Sequence, residues 1–162
     1  MVKPAPYTAM YPPEDPNYRP LAVARTMFID SVDRTVAETI LKHIAASDAS
    51  MRVAQLRVLG GAASRVAVDA TAYAHRSSRI MVNVASFYDG PADRLLREAW
   101  VLGLAAALRQ GDRGSYVNFL ADEGEEGVRA AYPGKTLERL RVVKARYDPT
   151  NLFRLNQNIP PA

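Results

Sequence analysis

The sequence predicts an α+β fold: an antiparallel β-sheet with helices packed on one face, in a ferredoxin-like arrangement. The segments run strand, helix, two or three strands, helix, then a short strand and two helices. The strand segments alternate in polarity, as strands of antiparallel sheets do. The length of 162 residues, with 48% hydrophobic and 23% charged, suits one globular domain.

Residues 1–20 form an extended arm rich in proline and tyrosine, because Pro12, Pro13, Pro16 and Pro20 forbid regular helix. Residues 21–146 hold the α+β portion, and residues 147–162 a separate closing segment. "LAVARTMFI" reads as a strand, with Val23, Arg25 and Met27 on one face and Ala24, Thr26 and Phe28 on the other. "SVDRTVAETILKHIAAS" is a helix with Asp33 as its N-cap. Val36, Ile40 and Ile44 share a stripe, with Leu41 beside them. "MRVAQLRVLGG" sets Ala54, Leu56 and Val58 against Gln55 and Arg57, a half-buried strand ended by Gly60-Gly61.

"SRVAVDATAYAHR" is irregular, with a short strand expected at Val66–Val68. "SRIMVNVASFY" is rich in β-branched residues and is the strongest strand. Gly90-Pro91 opens a second helix, whose apolar positions include Leu95, Leu96, Ala99, Leu102 and Ala106. "GSYVNFLADEGEEG" begins as a strand or extended segment. It ends in acids at the start of a short helix through Val128 and Ala131. "TLERLRVVKARY" is the last helix, with Leu137, Leu140 and Val143 inward, stopped by Asp148-Pro149.

Composition excludes several classes of function. The chain has no cysteine, hence no disulfide, thiolate ligand or cysteine nucleophile. His43 and His75 alone offer imidazole, too few for a zinc site. The net charge of +4 comes from scattered basic residues without a clustered basic face, so no nucleic-acid partner is expected. "MVKPAPYTAMYPPEDP" lacks the apolar core of a signal peptide. "AWVLGLAAAL" falls short of the roughly 20 residues that span a bilayer. A cytoplasmic protein without a membrane partner is expected. There is no dinucleotide fingerprint, phosphate-binding loop or nucleophile elbow. Gly60-Gly61 reads as a turn rather than a phosphate cradle.

Two stretches hold residues able to carry chemistry. "TAYAHR" places His75 next to Arg76, as a surface charge pair or as part of a site. In "SYVNFLAD" an extended backbone would put Tyr116 and Asn118 on one face, with Val117 and Phe119 opposite. That pair packs as an ordinary strand end, or donates and accepts around a planar polar ligand. The closing "YDPTNLFRLNQNIPPA" holds Leu152, Phe153, Leu155 and Ile159, which favour burial, among amide side chains.

"SYVNFLADEGEE", followed by "KARYDPTNLFRLNQNIPP", resembles the C-terminal region of berberine bridge enzyme-like FAD-linked oxidoreductases. Lys144, Tyr147, Asp148, Pro149, Asn151, Phe153, Arg154, Asn156, Gln157 and Ile159 match that family's closing motif. "LRVLGGAASRV" and "DATAYAHR" resemble its strand, Gly-Gly turn and Thr-Ala-Phe-x-His-Arg segment. The resemblance runs from about Tyr7 to the end.

The resemblance implies the C-terminal, substrate-binding portion of an enzyme that oxidises an alcohol, sugar or amine by hydride transfer to flavin. Tyr116 would be the catalytic base or part of one. A free tyrosine titrates near pH ~10, so that role needs help from neighbours. Asn118, Asn156 and Asn158 would meet the cofactor or the FAD-binding domain. His75, Arg76 and Phe119 would form the substrate site. Phe119 stands where many members carry a second tyrosine, so that hydroxyl is absent.

The family's flavin-attachment segment is missing from this sequence. FAD is therefore expected only in the complete enzyme, with this chain inactive without an FAD-binding domain or subunit. Residues 147–162 would then be a docking segment. An edge strand and a docking tail without their usual partners would drive homodimerisation. The rival reading is a stand-alone α+β binding or assembly module without redox activity.

Overall fold

A computed structural model describes residues 4–10, 15–112, 114–121 and 123–162. Its elements are β1 (Ala22–Ile29), α1 (Arg34–Ala45), β2 (Arg52–Val58), β3 (Ile80–Phe87), α2 (Gly90–Leu108), α3 (Gly124–Ala131) and α4 (Lys135–Tyr147). Short 3-10 turns lie at Tyr7–Met10, Ala63–Arg65 and Val117–Phe119. The expected proline-rich arm is thus interrupted by a turn, and its residues 1–3 and 11–14, with Pro12 and Pro13, lie outside the described residues.

β3 is the centre of a three-stranded antiparallel sheet of order β1-β3-β2. This α+β arrangement agrees with the sequence, and the run β-α-β-β-α matches that part of a ferredoxin-like unit. The register sets Met27 opposite Val82 and Val82 opposite Leu56. Since side chains alternate across a strand, Val23, Met27, Ile29, Val82 and Val84 share one face. They form the core with Ile40 of α1 and Val101, Leu104, Ala105 and Leu108 of α2. Asp33 caps α1 by accepting from the Val36 N–H at 2.8 Å.

Several expectations are corrected. No strand forms at Val66–Val68, because that stretch runs exposed through turns. "SYVNF" is not a strand: Val117–Phe119 is a 3-10 turn, closed by the Phe119 N–H donating to the Tyr116 carbonyl. On β2, Ala54 packs against the core, but Leu56 and Val58 are exposed, the latter by 85%. They lie on an edge strand that α1 reaches only in part. Leu95, Leu96 and Leu102 of α2, Leu41 of α1 and Val143 of α4 are also exposed. The face of α2 that enters the core is the one carrying Val101, Leu104, Ala105 and Leu108.

The second sheet face carries Phe28 and Met81. The loop around His75 and the segment 114–116 cover it. The His75 ring stacks on Phe28 at 4.4 Å, and Thr26 receives hydrogen bonds from Ser115 Oγ and the Tyr116 N–H.

Two glycines test this packing. A Cβ on Gly114 would clash with the His75 ring, whereas one on Gly103 in α2 would meet nothing within 4 Å. Gly114→Ala is expected to cost about 1–3 kcal/mol by overpacking. Gly103→Ala should stabilise by about 0.5–1 kcal/mol through helix propensity. Urea unfolding midpoints of the two variants check the opposite signs.

Candidate functional site

His75 is the buried hub of the second face, with 6% of its surface exposed. Its Nε2 lies 3.1 Å from the Ala131 carbonyl at the end of α3. A carbonyl only accepts, so Nε2 carries a proton and donates. Burial pushes the imidazole below its usual range, against the opposing pull of the Ala131 carbonyl and the Asp112 carboxylate. Asp112 is itself held by Ser78 Oγ at 2.9 Å and the Gly114 N–H at 2.7 Å.

From this hub an aromatic row extends. The Tyr73 ring meets His75 at 5.8 Å and Tyr116 at 6.2 Å, and Tyr116 meets Phe119 at 5.6 Å. A guanidinium closes each end: Arg76 lies over Tyr73 at 5.3 Å and Arg57 over Phe119 at 5.0 Å. Asn118 Nδ2 donates to the Tyr116 Oη at 2.9 Å. The expected pairing of Tyr116 with Asn118 therefore occurs, but through the 3-10 turn rather than along a strand. Burial raises the phenols of Tyr73 and Tyr132, and the nearby Tyr116 adds to both shifts.

Two cavities flank this turn. The first, of about 560 Å³, is walled by Tyr73, His75, Arg76, Tyr116, Asn118 and Tyr132, with Arg57 and Met81 from the sheet. The second, of about 980 Å³, lies between the turn, α3, α4 and the closing segment. Asn118, Arg141, Asn156 and Asn158 line it. Val117 and Asn118 belong to both walls. So Tyr116, His75 and Arg76 come together at one cavity, and Asn118, Asn156 and Asn158 at the other. Phe119 supports Tyr116 from behind and lines neither cavity.

The closing segment is held by its own chain. The Asp148 carboxylate accepts from the N–H groups of Leu152 and Phe153, at 2.8 and 3.1 Å, and pairs with Lys144 at 2.5 Å. Lys144 Nζ also donates to the Phe153 carbonyl. Gln157 Nε2 donates to the carbonyls of Leu120 and Ala121, tying the segment to the turn that bears Asn118. Leu152, Phe153 and Leu155 stay exposed, whereas Ile159 is half-buried.

Sequence reasoning missed Arg57, Tyr73, Tyr132 and Arg141 as wall residues. For Arg57 a signal existed: it alternates onto the face opposite Leu56. Nothing local marked Arg141.

Comparison with known proteins places the chain. A family model described as "Berberine and berberine like" matches residues 115–160. An uncharacterised FAD-linked oxidoreductase of Bacillus subtilis, YgaK, is 40% identical over 105 residues, covering 65% of this chain and 23% of the relative. A chitooligosaccharide oxidase of Gibberella zeae is 33% identical over 117 residues, covering 66% and 24%. A berberine bridge enzyme-like structure from Arabidopsis thaliana has a TM-score of 0.74 at 22% identity, over 87% of this chain and 34% of that one. The chain spans about a quarter of the length of these curated relatives.

The depressed His75 value makes a prediction. Between its folded value and the ordinary 6.5, the unfolded chain binds more protons. Stability should therefore be complete above pH 6.5 and fall as the pH drops below it. His75→Gln should flatten that dependence, as read from unfolding midpoints between pH 5 and 8. Residues 115–160 thus carry a berberine and berberine-like segment, in a chain similar to FAD-linked oxidoreductases in sequence and to a berberine bridge enzyme-like structure in fold.

Proposed function

We propose that this chain supplies the substrate cavity and one wall of the flavin site of an FAD-dependent oxidoreductase acting on an alcohol, sugar or amine. The observation that carries the reading is the Asn118–Tyr116 contact at the wall shared by the two cavities. A proton acceptor facing one cavity is thereby joined to an amide facing the other.

The second cavity suits a flavin edge. Asn158 Oδ1 and Arg141 Nε are buried there without partners. One needs a donor and the other an acceptor. The imide edge of a flavin ring presents both kinds of group. Asn156 and Asn158 would hold it from the closing segment, and Asn118 from the turn. When bound, FAD would supply the acceptor for a hydride leaving the substrate carbon.

The protein's part is proton handling and placement. Tyr116 Oη would take the substrate's hydroxyl or amine proton. The Asn118 N–H aimed at that oxygen would stabilise the phenolate form, the form able to accept the proton, which becomes a neutral phenol on doing so. Tyr73 and Tyr132, whose phenols hold their protons more firmly, would remain hydrogen-bond donors beside it. His75 would act from behind by fixing Tyr73 through ring contact.

The exposed Leu152, Phe153 and Leu155 would dock on an FAD-binding domain, since the relatives are nearly three times longer. Without that domain the same surface is expected to pair copies, so light scattering should give about twice 17.8 kDa. A monomer at micromolar concentration would contradict this.

With an FAD-binding domain from a full-length relative supplied, Tyr116→Phe should lower kcat at least ~100-fold, with KM changed less than ~3-fold. Steady-state oxidation kinetics check it. Unchanged turnover would remove Tyr116 from the proton-transfer role.

A further inference from the structure

We propose that the first cavity selects a substrate with an apolar or aromatic body and a carboxylate, in preference to a neutral alcohol. The inference rests on the substrate-cavity reading above and specifies its ligand class. The walls supply the first half of the argument. Leu59, Ala72, Met81 and Ala131 offer carbon, and Tyr73, Tyr116 and Tyr132 offer ring faces and edges. Such walls suit a flat hydrophobic body.

The charges supply the second half. Arg57 and Arg76 both line the cavity, and among the described residues no acidic side chain does. Neither guanidinium forms an ion pair with a described residue. The nearby Asp112 is engaged by Ser78 and Gly114 behind His75. Arg76 spends its Nη1 on the Ala63 carbonyl and its Nη2 on Thr71, which fixes the group in place. Its Nε is buried and has no partner. A buried N–H without an acceptor is costly, and a charged one more so.

Arg57 makes no hydrogen bond with a described residue, so its planar guanidinium keeps its donors for a carboxylate, while the fixed charge of Arg76 adds to the positive potential. The order along the row, Arg57, Phe119, Tyr116, Tyr73, Arg76, sets the Tyr116 phenol between the two positive ends. A ligand resting on the row can thus present its alcohol to Tyr116 and its carboxylate to one arginine.

The test compares two probes of nearly equal shape, 4-(hydroxymethyl)benzoate and 4-methylbenzyl alcohol. Each is titrated into the full chain and followed by NMR shifts of Arg57, Tyr73, Arg76 and Tyr116. The acid is expected to bind about 10-fold tighter or more, as for a charge-assisted hydrogen bond gained. Arg57→Gln, an exposed position that tolerates change, should remove most of that preference and leave the neutral alcohol within about 2-fold. Arg57→Lys should restore part of it. Equal affinity of the two probes would overturn the charge selection and leave the substrate cavity standing. Binding of the acid away from these four residues would also overturn it. If neither probe shifts them, the cavity reading and the charge selection fall together.

Discussion

The arrangement depends on one buried imidazole. His75 stacks on Phe28 of β1, donates to the end of α3 and leaves no room for a side chain at residue 114. Three segments distant in sequence are thereby fixed to one another over the second sheet face. The sheet's other face is secured by ordinary apolar packing with α1 and α2. Such packing tolerates volume-conserving exchange. The His75 contact is directional, since it requires ring stacking, a neutral imidazole and a glycine together.

The candidate site follows from that contact. With His75 fixed, Tyr73 and Tyr116 meet edge to face, and the 3-10 turn at Val117–Phe119 aims Asn118 back at the phenol. The turn thus becomes a partition with a polar group on each side. The closing segment is ordered by a second device, in which Asp148 accepts two backbone N–H groups and pairs with Lys144. The hydrogen bond from Lys144, with those from the Leu152 and Phe153 N–H groups, holds the Asp148 carboxyl below its ordinary value. The segment is therefore fixed at its start and again at Gln157, and its apolar side chains between those points face outward.

Much of this was legible in the sequence, for identifiable reasons. β3 is dense in β-branched residues, and Asp33 stands where an N-cap must, so both were readable locally. The α2 face was not. "AWVLGLAAAL" is apolar almost all round, so periodicity cannot choose between Leu102 and Val101, and only the sheet decides. Val117–Phe119 misled because a three-residue turn and a strand end have the same composition. The closing motif pointed to Asn156 and Asn158 by resemblance. The cavity they line with Arg141 arises from tertiary contacts that leave no local pattern. The local sequence leaves His75 either an exposed charge or a site residue, because its burial depends on Phe28, which is distant in the chain and lies beneath it.

The central claim is that the closing segment and its asparagines form a surface completed by an FAD-binding domain. Amide hydrogen exchange of this chain, with and without an FAD-binding domain from a full-length relative, tests that most directly. The account predicts slower exchange at Leu152, Leu155, Asn156 and Asn158 when the domain is present, and little change on α1. No complex, or a complex that leaves residues 152–158 exchanging as before, would contradict it.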